Sequence, residues 1–135
     1  MTTLSYHQSG VIPYRINDGN LQVLLVTSVS GKRWVIPKGI IEPNMSPAAS
    51  AAQEAWEEAG LKGEVIEPAI GRYTYLKWGG KCHVEVFLML VSDVLDSWPE
   101  VAVRSREWIN IKQAASRVNE KALKQLLRNL PELIG

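Results

Sequence analysis

Hydrophobic and polar positions alternate most clearly over CHVEVFLMLV, residues 82–91. Cys82, Val84, Val86, Leu88 and Leu90 share one side, and His83, Glu85, Phe87, Met89 and Val91 share the other, which predicts a strand. The run GRYTYLKW (71–78) precedes it. The Gly79-Gly80 pair between them predicts a hairpin. A second hairpin is expected from QSGVIPYRI (8–16) and LQVLLVTS (21–28), joined by Asp18-Gly19-Asn20. The latter run is apolar enough for a central strand, whereas Pro13 favours an edge or a bulge in the former. A short strand at Trp34-Val35-Ile36 then leads into a Pro-Lys-Gly turn.

The period changes after that turn. From Pro47 to Ala59 the spacing is helical, with Ser46 as N-cap, Pro47 at the first helical position and Gly60 closing the end. Alanines 48, 51, 52, 55 and 59 take one face, and Glu54, Glu57 and Glu58 fall within an arc of roughly 100° on the adjoining one. Beyond it come an extended piece at 63–68, a loop over 94–106, a short strand at 106–109 and a helix over 111–118. Leu123, Leu126, Leu127 and Leu130 follow the i, i+3, i+4, i+7 pattern of a last helix, capped by Asn119 and with Pro131 ending or following it. Neither a repeat nor a linker interrupts the chain. The pattern is that of one domain over residues 1–135, strand-rich in the middle, with helices able to cover both faces of a sheet.

Composition narrows the function classes. The 135 residues suffice for one core, and the net charge of +1 argues against a polyanion magnet, so specific nucleic-acid binding is not expected. Residues 1–100 carry 8 Lys/Arg against 11 Asp/Glu, and residues 101–135 carry 7 against 3, so the C-terminal third is locally basic. No apolar run reaches the ~20 residues that span a bilayer, and the start MTTLSYHQSG lacks a signal-peptide pattern. The lone Cys82 suits a reducing compartment. A cytoplasmic protein is the expectation.

Three acids on a helix usually just face water, but here their setting is specific. Counted from Gly39, the chain has Glu54, Glu57, Glu58, Gly60 and Leu61 at the offsets of the signature G-x5-E-x7-R-E-U-x-E-E-x-G-U, where U is aliphatic. The stretch Gly39 to Leu61, preceded by Trp-Val-Ile-Pro-Lys-Gly, therefore resembles the Nudix pyrophosphohydrolases. The resemblance implies an α/β (α+β) fold, an α/β/α sandwich with a mixed β-sheet between helices. It implies Mg²⁺-dependent hydrolysis of a diphosphate linkage in a nucleoside diphosphate-X type substrate, with Mn²⁺ as a possible substitute. The Arg-Trp-Val-Ile-Pro-Lys-Gly run and the late Arg-Glu-Trp are most similar to the subgroup acting on diphosphoinositol polyphosphates and dinucleoside polyphosphates. That subgroup often has Gly-Gly after the lysine, and here Ile40 follows Gly39.

By the same resemblance Glu54, Glu57 and Glu58 are the catalytic and metal-binding carboxylates, and the Gly39 carbonyl is a further metal ligand. Mg²⁺ takes oxygen ligands and keeps several waters, which suits two or three glutamates plus substrate phosphates. Arg33, Lys38 and Arg72 are the expected phosphate-binding residues. Glu85 is the candidate general base, ahead of Glu107 and Glu100, and Trp78 or Tyr73 a candidate base-stacking surface. Lys77, Lys81, Arg104 and Arg106 are further cations able to read a polyphosphate. A homodimer is compatible with the family, with the strand near Pro13 as an available edge.

Three positions depart from the signature: Met45 for Glu, Gln53 for Arg and Ala55 for a larger aliphatic residue. Gln53 can hydrogen-bond but cannot offset charge, so the glutamates are expected to repel one another and at least one carboxyl to titrate high. These losses support a second reading, a Nudix-fold binding or regulatory module with weak or no turnover.

Overall fold

The computed structural model describes residues 4–135; the first three residues of the expected domain lie outside it. The chain runs β1 (Leu4–Asn17), β2 (Asn20–Thr27), β3 (Trp34–Val35), β4 (Lys38–Ile40), α1 (Pro47–Ala59), β5 (Leu61–Lys77), β6 (Gly80–Val94), β7 (Arg106–Asn110), α2 (Ile111–Arg117), α3 (Lys121–Arg128) and α4 (Leu130–Ile134). All seven strands form one sheet along the path β3-β2-β1-β6-β5, with β4 added on β1 and β7 on β2. β1 and β6 are parallel, from Leu4 opposite Gly80 to Tyr14 opposite Leu90, and the other pairs are antiparallel.

Alternation along the strands feeds two cores. Val11, Leu24, Val26, Phe87 and Met89 face α1 and bury its alanines 48, 51, 55 and 59. Ile12, Val23, Leu25, Val84, Val86 and Leu88 face the opposite way, against Ala114, Leu123, Leu127 and Leu130 of the C-terminal helices. The result is the α/β/α sandwich with a mixed sheet. No helix among the described residues is long and apolar enough to cross a membrane.

Several local expectations change. Pro13 lies inside the sheet, because β1 pairs with β6 along its length and changes its second partner, from β4 at Gln8–Gly10 to β2 at Tyr14–Asn17. Proline's missing N–H is tolerated in that gap, and the stretch is no free edge for a dimer. The Pro-Lys-Gly turn continues into β4, a pairing that closes because Gly10 has no side chain; a Cβ there would meet the Pro37 carbonyl and the Lys38 Cβ. The β5–β6 turn is Trp78-Gly79, both with positive φ (+55° and +70°), while Gly80 starts β6. The pieces expected at 63–68 and 71–78 are one strand with an irregularity between Ile66 and Gly71. Asn110, in a capping box with Gln113, starts α2; Glu120, rather than Asn119, precedes α3, and Pro131 is the second residue of α4.

Candidate active site

α1 sits where its own ends hold it. The Ser46 hydroxyl accepts from the Ala49 N–H at 3.1 Å, and Gly60 closes the helix in the left-handed region at φ +66°. The last-turn carbonyls, which no helix can satisfy internally, receive donors from the β6–β7 segment and the first residue of β7. Glu100 N–H donates to the Glu57 carbonyl (3.0 Å), Trp98 Nε1 to that of Glu58 (2.9 Å) and Arg106 Nη1 to that of Ala59 (2.7 Å). A segment read from sequence only as a loop therefore anchors the acidic helix.

Beside α1 opens a cavity of about 460 Å³. Glu54 and Glu58 form one wall, Lys38 and Gly39 of β4 the next, and Arg33, Arg104, Lys77 and Trp78 complete the rim. Glycine at 39 leaves the space that the Glu54 carboxylate occupies, which a Cβ would overlap. Buried Glu58 accepts from the Lys38 backbone N–H at 3.1 Å and pairs with Arg104 Nη2 at 3.2 Å. Arg104 also pairs through Nε with Glu100 at 2.7 Å and donates through Nη1 to the Thr27 carbonyl at 2.9 Å. Glu57 is held by Gln53, whose amide donates at 2.9 Å.

The electrostatics follow from this arrangement. Burial raises the Glu58 carboxyl to about 7, while Arg104 and Lys38 oppose the rise. Glu54 is also raised to about 7, first by burial and then by Glu58, Glu57, Glu100 and Glu42. The largest influences on Glu54 are thus burial and its neighbouring carboxylates. Burial likewise lowers the Lys38 ammonium, against the pull of Glu58. The high-titrating carboxyl expected from Gln53 is thus found twice, but its main cause is desolvation. The charge missing at position 53 is partly supplied by Arg104, from another element.

Not every expected residue reaches this cavity. Glu85 and Arg72 line a second pocket of about 100 Å³ with His7, Ile41 and His83. Glu85 and Gly39 are both partners of Ser9 across β1, so they are two strand spacings apart, ~9–10 Å. The candidate base thus lines a pocket next to the cavity, and Glu100, ranked below it from sequence, is a carboxylate that raises both Glu54 and Glu58. Glu107 is bound to Arg117 at 3.0 Å, and Tyr73 is buried in the core. The expected Gly39 carbonyl ligand also changes. Lys38 N–H and Ile40 C=O bond to α1 side chains, whereas Pro37 C=O and Ile41 N–H bond to β1. Strand alternation then turns the Gly39 carbonyl toward β1 and leaves the Lys38 and Ile40 carbonyls facing α1.

The oxygen donors on this side of the cavity, the Glu54 and Glu58 carboxylates and the Lys38 carbonyl, are of the kind a hard cation takes. Among the described residues no three acidic, His or Cys side chains already converge on one point. Glu57 and Glu58 are instead turned to Gln53 and Arg104.

Comparison with known proteins agrees with this geometry. The NUDIX domain model matches residues 6–130. The chain is 35% identical over 135 residues to Nudix hydrolase 17, mitochondrial, of Arabidopsis thaliana, covering 93% of this chain and 74% of that one. It is 33% identical over 96 residues to diphosphoinositol polyphosphate phosphohydrolase 3-beta of Bos taurus, covering 69% and 57%. A crystal structure of the C. elegans Ap4A hydrolase superimposes with a TM-score of 0.82 at 21% identity, over 98% of this chain and all of that one, a likeness of fold. With the acidic helix, the glycine before it and the sandwich all in register, the chain belongs to the Nudix hydrolase family.

Proposed function

We propose that the protein hydrolyses a diphosphate linkage in a nucleoside diphosphate-X type substrate, with a dinucleoside polyphosphate or a diphosphoinositol polyphosphate as the candidate classes. The carrying observation is the cavity itself: Glu54, whose carboxylate takes the space beside Gly39 and forms no ion pair among the described residues, shares it with Glu58, Arg33, Lys38 and Arg104. One wall of such a cavity calls for positive charge and the other for negative, which a divalent cation with a phosphate chain provides. Glu54, Glu57 and Glu58 would hold Mg²⁺, which when bound neutralises phosphate charge and acidifies water. Lys38 and Arg33 bind and orient the phosphates, and positioning accounts for most of the rate in such transfers. Similar proteins named for diphosphoinositol polyphosphates and for Ap4A, and a NUDIX domain in complex with ADP ribose, support these substrate classes. The free Cys82 supports a reducing compartment, and the cytoplasm is the proposed location; relatives with mitochondrial names make organelle fractions the control.

The test is product formation from nucleotide, dinucleotide and inositol diphosphates, with Mg²⁺ and with chelator. Turnover that chelator stops and Mg²⁺ restores is expected. Absence of Mg²⁺-dependent turnover across the panel would favour the binding-module reading, which the Arg104 hold on Glu58 supports, since Arg104 competes with a cation for that carboxylate.

A further inference from the structure

Buried polar side chains in this fold have partners, with one exception. Gln8 accepts from the Tyr75 hydroxyl at 2.7 Å, Ser50 bonds the Glu42 N–H and the Ile40 carbonyl, and Glu58 has Lys38 and Arg104. Ser9 is 0% exposed, and its Oγ has no partner among the described residues. A hydroxyl left unpaired inside a fold is costly, and an alanine would avoid that cost. Its presence calls for an explanation beyond packing.

Alternation along β1 puts Ser9 on the side of Val11, which α1 covers. Gly39 lies opposite Ser9 on β4, and Glu85 lies opposite it on β6. Residues directly opposite on paired strands share a face, with Cβ positions ~4.5–5.5 Å apart. The place of a Gly39 Cβ is taken by the Glu54 carboxylate. The Ser9 hydroxyl is therefore set between two carboxylates, and its χ1 decides which one it faces. Glu85 has Arg72 opposite it on β5 and opens into the small pocket with His7 and His83. Glu54 forms no ion pair among the described residues. Of the two, Glu54 is the carboxylate in want of a donor.

We infer that Ser9 is a positioning residue of this site: its hydroxyl donates to the Glu54 carboxylate and fixes the direction in which Glu54 offers its oxygens to a divalent cation. The inference rests on the reading of Glu54 as a cation ligand, and its test does not depend on turnover. Mn²⁺ binding, followed by the electron paramagnetic resonance of the free ion, is the readout. Ser9→Ala weakens Mn²⁺ binding about tenfold, the usual scale for a group that supports a metal ligand. Its melting temperature in chelator is unchanged or higher, because the hydroxyl it removes bonds to nothing there. Ser9→Thr, which keeps the hydroxyl, binds Mn²⁺ as the unaltered protein does. The tenfold loss persists when Ser9→Ala is made in a Glu85→Ala background. Unchanged Mn²⁺ affinity in Ser9→Ala would overturn the inference, as would no Mn²⁺ binding by the unaltered protein. A loss that disappears in the Glu85→Ala background would also overturn it, by assigning the hydroxyl to Glu85. A protein that binds Mn²⁺ through Ser9 yet fails on the hydrolysis panel keeps this inference and loses the enzyme reading. One that turns over its substrates with Mn²⁺ affinity indifferent to Ser9→Ala keeps the enzyme reading and loses this inference.

Discussion

The space that a Gly39 side chain would fill is taken by the Glu54 carboxylate. The obstructing atoms are the end of a flexible side chain, so Gly39→Ala should fold normally while pushing Glu54 out of place. The expectation is a melting temperature close to that of the parent with kcat reduced about a hundredfold, by analogy with losses seen when metal-site supports are removed; retained kcat would show that Glu54 does not need that position. Arg104 carries the other residue-scale argument. Its guanidinium joins Glu58 of α1, Glu100 and the Thr27 carbonyl of β2, so Arg104→Gln leaves a buried carboxylate without its partner, a change that costs about 3–5 kcal/mol in comparable pairs. If Arg104 supplies the charge absent from Gln53, Gln53→Arg alone should alter turnover by less than about threefold, yet recover part of the loss in the Arg104→Gln background. A double-mutant cycle on urea stability and kcat measures this coupling, and strictly additive effects would refute it.

At the scale of elements, α1 was the part most legible in the chain. Its limits, Ser46 cap, Pro47 and Gly60 all follow from short-range chemistry, and the structure reproduces them. Ala55 is different, because its meaning depends on what lies opposite. It is fully buried against the sheet, with Ala51 and Ala59, so the small residue sets how closely the helix approaches. Ala55→Leu, which restores the usual aliphatic character of the signature, should therefore overpack and cost about 1–3 kcal/mol, read from chemical denaturation; an unchanged or raised stability would mean that the interface has room to spare. The segment between β6 and β7 was the least legible element. It has no periodicity, and the roles of Trp98, Glu100, Arg104 and Arg106 arise only because α1 ends beside it with open carbonyls. Asn119 shows the opposite failure: a good capping residue stands one position too early, and α3 begins after Glu120 without a side-chain cap.

For the whole molecule, the carboxylate cluster ties stability to pH and metal. Glu54 and Glu58 titrate near 7 in the fold against 4.5 when free, so the folded state holds protons that the unfolded chain releases. Their contribution is most favourable below the free value and is lost as pH rises through about 7. In chelator the melting temperature should fall between about pH 5 and about pH 8, and Glu54→Gln should flatten the decline. Mg²⁺, which binds the deprotonated carboxylates, should raise the melting temperature more at the higher pH. A rise with pH in chelator, or an Mg²⁺ effect independent of pH, would contradict this account.

Sequence by itself determined the features that depend on near neighbours: the strand alternation, the Asp18-Gly19 turn, the capped helix and its line of glutamates. It also determined the family, because the signature's offsets are properties of one helix and the turn before it. Tertiary structure decided what depends on distant partners. It made Lys38–Ile40 a strand by setting it against Gly10, and turned the Gly39 carbonyl away from α1. It set Glu85 of β6 and Gly39 of β4 on opposite sides of β1, and brought Arg104 and Glu100 onto the cluster from a segment more than 40 residues away. The physical reason is common to all four. Periodicity and capping act over one or two turns, whereas cross-strand register and buried charge pairing are set by which segments the closed sheet makes neighbours.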